Sequence, residues 1–150
     1  MSVVTSLERL DQDQCAGLLA AGVYGRLVLL ADGRPEIVPV NYTTHAGAAW
    51  VRTSPGSLLD RYADGAALLL EVDHVDHERA HGWSVVARGR GERVSDEELR
   101  SADLHFPGPP RWVRHDDAAW VRLRWDELTG RRTGSGWDLT HGLPVRRASR

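Results

Sequence analysis

Two sets of residues have types and spacings that could do chemistry. Arg52, Thr53 and Ser57 bracket Pro55-Gly56 just ahead of a short apolar-periodic run. A guanidinium and two hydroxyls around a turn that opens a helix form a phosphate-friendly arrangement. The plainer alternative is that Arg52 and Thr53 simply end a strand. His74, His77 and His81 are spaced by three and four, which is metal-ligand spacing if the segment is helical. No cysteine and no helix signal support a ligand set there. Asp73, Asp76 and Glu78 make 73–81 read as a polar loop, so no metal is assigned. The chain contains no G-x-S-x-G, no Walker loop and no C-x-x-C.

Arg88 and Arg90 alternate with Glu92 and read as solvated or paired rather than as anion ligands. Trp112, Trp120 and Trp125 suit either ordinary packing or the wall of an interface or ligand site.

Composition narrows the classes. The chain has 150 residues, 41% of them hydrophobic and 27% charged, which suits one soluble domain with a real core. A formal net charge of -2 argues against a bulk nucleic-acid or anionic-membrane binder. The N-terminus lacks a secretory pattern and no apolar run is long enough to span a bilayer. The single Cys15 rules out an intrachain disulfide, so the expected setting is a reducing cytoplasm. All 19 basic residues are Arg, so any fixed positive charge for an anion must come from Arg or from backbone N–H groups.

The elements that must position these residues follow from caps, turns and periodicity. Asp11 and Gln14 form a capping-box pair, and Cys15, Leu18 and Leu19 share a face, so 11–21 is a helix stopped by Gly22. Asp32-Gly33 joins two β-rich runs as a hairpin. Residues 48–53 form a third strand after a turn around His45 and Gly47. Ser57 and Asp60 cap a short helix to about Ala63. Residues 66–72 and 83–94 are strands, with Gly89 and Gly91 marking a bulge or bend. Ser95 and Glu98 cap another short helix, and 105–117 is a Pro-rich loop. In WVRLRW, Trp120, Arg122 and Arg124 face one way and Val121, Leu123 and Trp125 the other. After Gly130 no period remains, and the tail reads as poorly packed. Six strands joined mostly by hairpins predict a mainly β fold with short helices, a small closed or partly closed antiparallel barrel.

The order of segments carries a resemblance. A helix ending at Gly22 is followed by GRLVLL, RPEIVPVNY, VRTSPGSLL, LLLEVD, GWSVVARGRGERV and WVRLRWDELTGRR. From about residue 8 to 132 this resembles the pyridoxamine 5'-phosphate oxidase-like flavin-binding split-barrel family, specifically its small actinobacterial branch. The resemblance implies a domain over 1–132 with a tail over 133–150, and a six-stranded antiparallel split β-barrel. It also implies a homodimer holding flavin mononucleotide (FMN), or a deazaflavin as in sister groups, in two interfacial clefts. Carried onto this chain, Val38, Pro39, Val40 and Asn41 would run beside the flavin ring. Arg52, Thr53, Ser57 and Leu58 match the stretch that holds phosphate and ribityl. Trp83, Ser84 and Val85 match the strand reaching the ring edge from the partner subunit.

One position departs from the pattern. Family members commonly have Lys directly after the turn serine, and here that residue is Leu58. Loss of an ion partner in a desolvated site costs about 1.5–3 kcal/mol, roughly tenfold to a hundredfold in affinity. The expected function is an FMN-binding oxidoreductase acting on a small molecule, without a sequence-fixed acid or base. Pyridoxamine-phosphate oxidation itself is not expected, because residues 130–150 offer no counterpart to that enzyme's substrate-binding tail. The rival is a non-enzymatic split-barrel dimer that binds a deazaflavin, haem or another ligand, or has lost flavin binding.

Overall fold

Asp11 begins the first helix as its neighbours require. In the computed structural model, which describes residues 7–101, 118–134 and 137–140, it caps α1 (Gln12–Ala21). Its carboxylate accepts from the Gln14 N–H at 2.8 Å, while the Gln14 side chain accepts from the Asp11 N–H at 3.0 Å. Cys15, Leu18 and Leu19 are the buried face. Gly22 ends the helix in extended backbone, and a Cβ there would collide with the Tyr42 hydroxyl. That hydroxyl donates to the Leu19 carbonyl at 2.6 Å and ties the helix end to the sheet.

Strands β2 (Tyr24–Ala31) and β3 (Arg34–His45) meet at Asp32-Gly33, whose φ angles of 51° and 76° are those of a type I′ turn. After Ala46-Gly47 come β4 (Ala48–Thr53) and α2 (Leu58–Tyr62), the latter capped by Ser57. Then follow β5 (Ala67–Asp76), β6 (His81–Val94), α3 (Asp96–Ser101) and β7 (Ala119–Thr133). The Ser95–Glu98 capping pair holds at 3.1 and 3.2 Å. A register shift between Arg88 and Gly89 is the bulge expected there.

The fold is mainly β: one antiparallel sheet of seven strands in the order β1-β7-β4-β3-β2-β5-β6. Strand β7 also pairs with β6, so the path of pairings returns on itself. The inner face follows the alternation of the strands: Leu27, Leu70, Val85 and Leu123 are all fully buried. No helix among the described residues is long and apolar enough to cross a membrane.

Three expectations are corrected. The sheet has seven strands rather than six; the extra one is β1 (Leu7–Arg9), three exposed residues without any apolar period. It exists because the edge of β7 offers a partner, with Leu7 opposite Thr133 and Arg9 opposite Arg131. Residues 73–76 are strand, not loop, since the β5–β6 ladder runs on to Asp76 opposite His81. Cross-strand pairing there overrides the poor β-propensity of Asp and His. The chain beyond Gly130 is not poorly packed as far as it is described. β7 continues to Thr133, Trp137 and Leu139 pack against the core, and Trp83 Nε1 donates to the Leu139 carbonyl at 2.7 Å. The expected loop over 105–117, with Trp112, and the last ten residues lie outside the described residues.

Candidate functional site

The two-residue period of a strand divides the expected site residues between two faces. On β3, Val40 is in the core and Val38 packs against it, whereas Pro39 and Asn41 stand on the outer face opposite Arg26 and Tyr24 of β2. On β6, Trp83 and Val85 are core residues, and Ser84 alone of the three stands outward. Side chains of Val38, Val40, Trp83 and Val85 therefore serve packing; the backbone of Trp83 and Val85 is paired on both edges, to β5 and to β7, so of these two stretches only β3 has main-chain groups left for a ligand. Pro39–Asn41 and Ser84 lie on the same outer face but three strand spacings apart, about 14 Å. One chain does not bring them together.

The backbone of β3 is unusual in one respect. Residues 34–41 pair with β2 on one side, and among the described residues no strand pairs with their other edge until Tyr42 meets Val51 of β4. A row of main-chain groups is thus open beside the expected ring-binding stretch, which explains why a proline is tolerated at position 39.

The turn after β4 is built as its residue types suggest. Thr53 Oγ1 and Ser57 Oγ are 2.7 Å apart, and Ser57 Oγ accepts from the Asp60 N–H at 3.3 Å. Whichever hydroxyl donates to the other, one hydroxyl hydrogen remains for a ligand. Asp60 accepts from the Gly56 N–H at 2.7 Å and pairs with Arg93 at 2.6 Å, so its charge is already compensated. Arg52 stands half-buried opposite Trp120 of β7. Leu58 packs partly against the core and supplies no charge. The turn fits the hydrogen-bonding needs of a phosphate better than it fits its charge.

Between the two outer-face stretches lies a cluster that sequence reasoning missed. Arg26 NH1 pairs with Glu71 Oε2 at 2.9 Å and Asp73 Oδ2 at 3.3 Å. Arg26 lies opposite both Pro39 and Glu71, and Asp73 lies opposite Ser84, so the cluster spans the gap between the two stretches. The available signal was the alternation Glu71-Val72-Asp73 at the end of an apolar strand, which puts two carboxylates on one face. Burial chiefly, and then the neighbouring Asp73, push the Glu71 carboxyl up to about 7 against the pull of Arg26.

A raised carboxyl pKa has a definite sign in stability. Below about pH 4.5 Glu71 is protonated in both folded and unfolded chains and contributes no pH dependence. Between there and about 7 the unfolded chain releases the proton and the folded one keeps it, so stability falls as pH rises and levels off above 7. The full shift corresponds to about 3 kcal/mol, and the half-exposed partners reduce this to about 1–2 kcal/mol. Glu71→Gln should match the wild type at pH 4.5 and exceed it by that amount at pH 8 in urea melts. Equal differences at both pH values would contradict the assignment.

The remaining candidates resolve plainly. His74 is on β5, His77 in the turn and His81 on β6, so the helical spacing that made a ligand set is not realised. No group of three metal-ligating side chains occurs among the described residues. His81 instead stacks on Trp137, with ring centres 4.7 Å apart. Arg88 donates to Thr129, Arg90 to the Gly65 carbonyl, and Glu92 bonds Arg122 and Arg124, as a paired surface would. Trp120 packs on a small outer cluster of Ala48, Trp50 and Val94, and Trp125 packs against the main core. A cleft of about 590 Å³ lies over the ends of β5, β6 and β7, with Asp73, Ser84 and Arg131 among its walls.

Comparison with known proteins agrees with this geometry. The sequence model of the family described as pyridoxamine 5'-phosphate oxidase matches residues 11–132. An uncharacterized protein of Mycobacterium tuberculosis is 36% identical over 94 residues, covering 59% of this chain and 62% of that protein; the match thus spans under two thirds of the relative's length. A structure described as the FAD binding protein from Mycobacterium smegmatis is similar with a TM-score of 0.65 and 29% identity, over 85% of this chain and 98% of that one. A conserved protein of unknown function from Corynebacterium diphtheriae matches with a TM-score of 0.69 and 28% identity, over the same shares. With most of its length matched by the family and its sheet matched by these structures, the chain belongs to the pyridoxamine 5'-phosphate oxidase family.

Proposed function

We propose that this protein is a flavin-binding oxidoreductase, with FMN as its cofactor, a small molecule as its substrate and a second copy of itself as its partner in the cytoplasm. The observation that carries the reading is the open edge of β3 over residues 34–41, ending next to β4 and its hydroxyl-bearing turn. The returning path of pairings is read as the six-stranded split barrel, with β1 added on its edge. The FAD-binding relative from M. smegmatis supports a flavin in general rather than FMN in particular.

In this reading the main-chain groups of 38–41 and the Asn41 amide would hold the ring, and whichever of the Thr53 and Ser57 hydroxyls keeps its hydrogen free would donate to the phosphate. Bound there, the flavin would supply hydride transfer. Pro39 offers a carbonyl and no N–H, which keeps that edge from pairing with a stray strand. Arg26 sets a positive charge beside Pro39, and Glu71 can hold or release a proton next to it near neutral pH. A homodimer would bring Ser84 of one subunit toward the β3 edge of the other and close the 14 Å gap of the single chain.

The test is the absorbance spectrum of the purified protein, followed by titration with FMN, FAD and a deazaflavin. Stoichiometric FMN per subunit is the expected result. A colourless protein whose melting temperature ignores all three would overturn the reading in favour of the second one. That second reading, a split-barrel dimer without flavin chemistry, is favoured by Leu58, which leaves the turn without its expected charge.

A further inference from the structure

The outer face where β5, β6, β7 and β1 run side by side has a feature that the flavin reading uses only at Ser84. Gly82 lies between Val75 and Thr133, and beyond Thr133 stands Leu7. A glycine flanked in this way leaves a shallow floor, and Val75 and Leu7, 54% and 59% exposed, rise on either side of it. One row along the strands, Ser84 lies between Asp73 and Arg131, and beyond Arg131 stands Arg9. These positions line or border the cleft of about 590 Å³.

The charges are the informative part. Arg131 and Arg9 are exposed, directly opposite each other, and neither makes an ion pair or side-chain hydrogen bond among the described residues. Like charges directly opposite in an antiparallel pair are destabilising, so the pair is better suited to a face that receives an anion. Arg132 differs: it donates to the Gly134 and Trp137 carbonyls and lies over the Trp137 ring. Arg131 is therefore the wall cation available to a ligand. Its planar fork matches a carboxylate, with the Ser84 hydroxyl beside it as a second donor. Asp73 and Asp76, also on the cleft wall, are already paired, with Arg26 at 3.3 Å and Arg79 at 3.5 Å, so their charges are largely compensated and Arg131 is left to meet a single negative charge.

We infer that this cleft binds a flat apolar molecule bearing one carboxylate, its body over Gly82 between Leu7 and Val75 and its carboxylate on Arg131 and Ser84. This names the substrate class of the proposed oxidoreductase; it rests on that reading for the reaction, and on the cleft alone for binding.

The experiment titrates the full chain with benzoate, benzamide and inorganic phosphate by calorimetry or ligand-observed NMR, with FMN titrated separately. Benzoate should bind saturably and about tenfold or more tighter than either control. Arg131→Gln, an exposed change that leaves the core untouched, should remove that preference and leave benzamide unchanged. Gly82→Ala should weaken benzoate and benzamide together; its added Cβ would sit 3.3 Å from the His74 carbonyl oxygen and 3.6 Å from Val75, so the His74 carbonyl must give by a few tenths of an ångström, and a melt of the variant shows whether it stays folded. Absence of saturable benzoate binding, equal binding of benzamide or phosphate, or benzoate binding indifferent to Arg131→Gln would each overturn the inference. Failure of FMN to bind while benzoate does would instead count against the flavin reading alone.

Discussion

Gly91→Ala is expected to lower the melting temperature by about 10–20 °C, a loss of about 3–5 kcal/mol in a chain of this size. A Cβ at this position would overlap the Ala63 carbonyl oxygen and come within 2.6 Å of Leu68 Cδ1. The collision is with backbone, so no rotamer change relieves it. The segment cannot retreat freely either. The Gly91 N–H donates to the Ala66 carbonyl at 2.9 Å, and its carbonyl accepts from the Gly65 N–H at 2.8 Å. Overpacking costs about 1–3 kcal/mol and each backbone hydrogen bond lost about 1 kcal/mol, against a total stability of about 5–15 kcal/mol. Gly17→Ala is the control of opposite sign. It lies inside α1 with nothing within 4 Å of an added Cβ, and should gain about 0.5–1 kcal/mol. Thermal or urea melts of the two variants would check both, and a Gly91→Ala protein as stable as wild type would mean that 63–66 does not sit against β6.

Leu58→Lys is expected to tighten FMN binding by about tenfold to a hundredfold. Leu58 opens α2 directly after Ser57 and is only partly buried at the edge of the core. A lysine stem can keep much of that apolar contact while its ammonium reaches outward. Asp60, two residues on, is already bonded to Gly56 and Arg93, so it offers little competition for the new charge. The gain must depend on the phosphate. Riboflavin, which lacks that group, should bind wild type and Leu58→Lys equally, and Leu58→Met should behave as wild type with both ligands. Flavin fluorescence titration reads all of these. An equal gain for riboflavin, or no gain for FMN, would show that the turn does not face the phosphate.

Both predictions depend on residues whose types were plain in the sequence and whose surroundings were not. The signals that were read correctly are short-range. Asp11 with Gln14, Ser57 with Asp60 and Ser95 with Glu98 each span three residues and specify a helix start. Asp32-Gly33 adopts positive φ at both positions and specifies a hairpin. The inward set Val121 and Leu123 and the outward set Trp120, Arg122 and Arg124 follow from the period of a strand. The candidate site was legible to the same depth: the hydroxyl turn at 53–57 formed as its residues suggest, because its contacts are local.

What the sequence determined by itself, then, is the inventory of this protein: its caps, its hairpin, its bulge at Gly89 and the apolar face of each strand. Each depends on neighbours within a few residues, where covalent geometry and local hydrogen bonds decide the outcome. Only the tertiary structure decided that β7 pairs with β1, β4 and β6 at once, that β3 keeps an open edge beside the turn, and that Trp83 lies under Leu139. It likewise brought Arg26 to Glu71 and Asp73, 45 and 47 residues further along the chain, and set Arg131 against Arg9. Such contacts form only once the chain has closed long loops and every strand has found its register. Their energy belongs to the pairing of distant segments and leaves no periodic trace in either one.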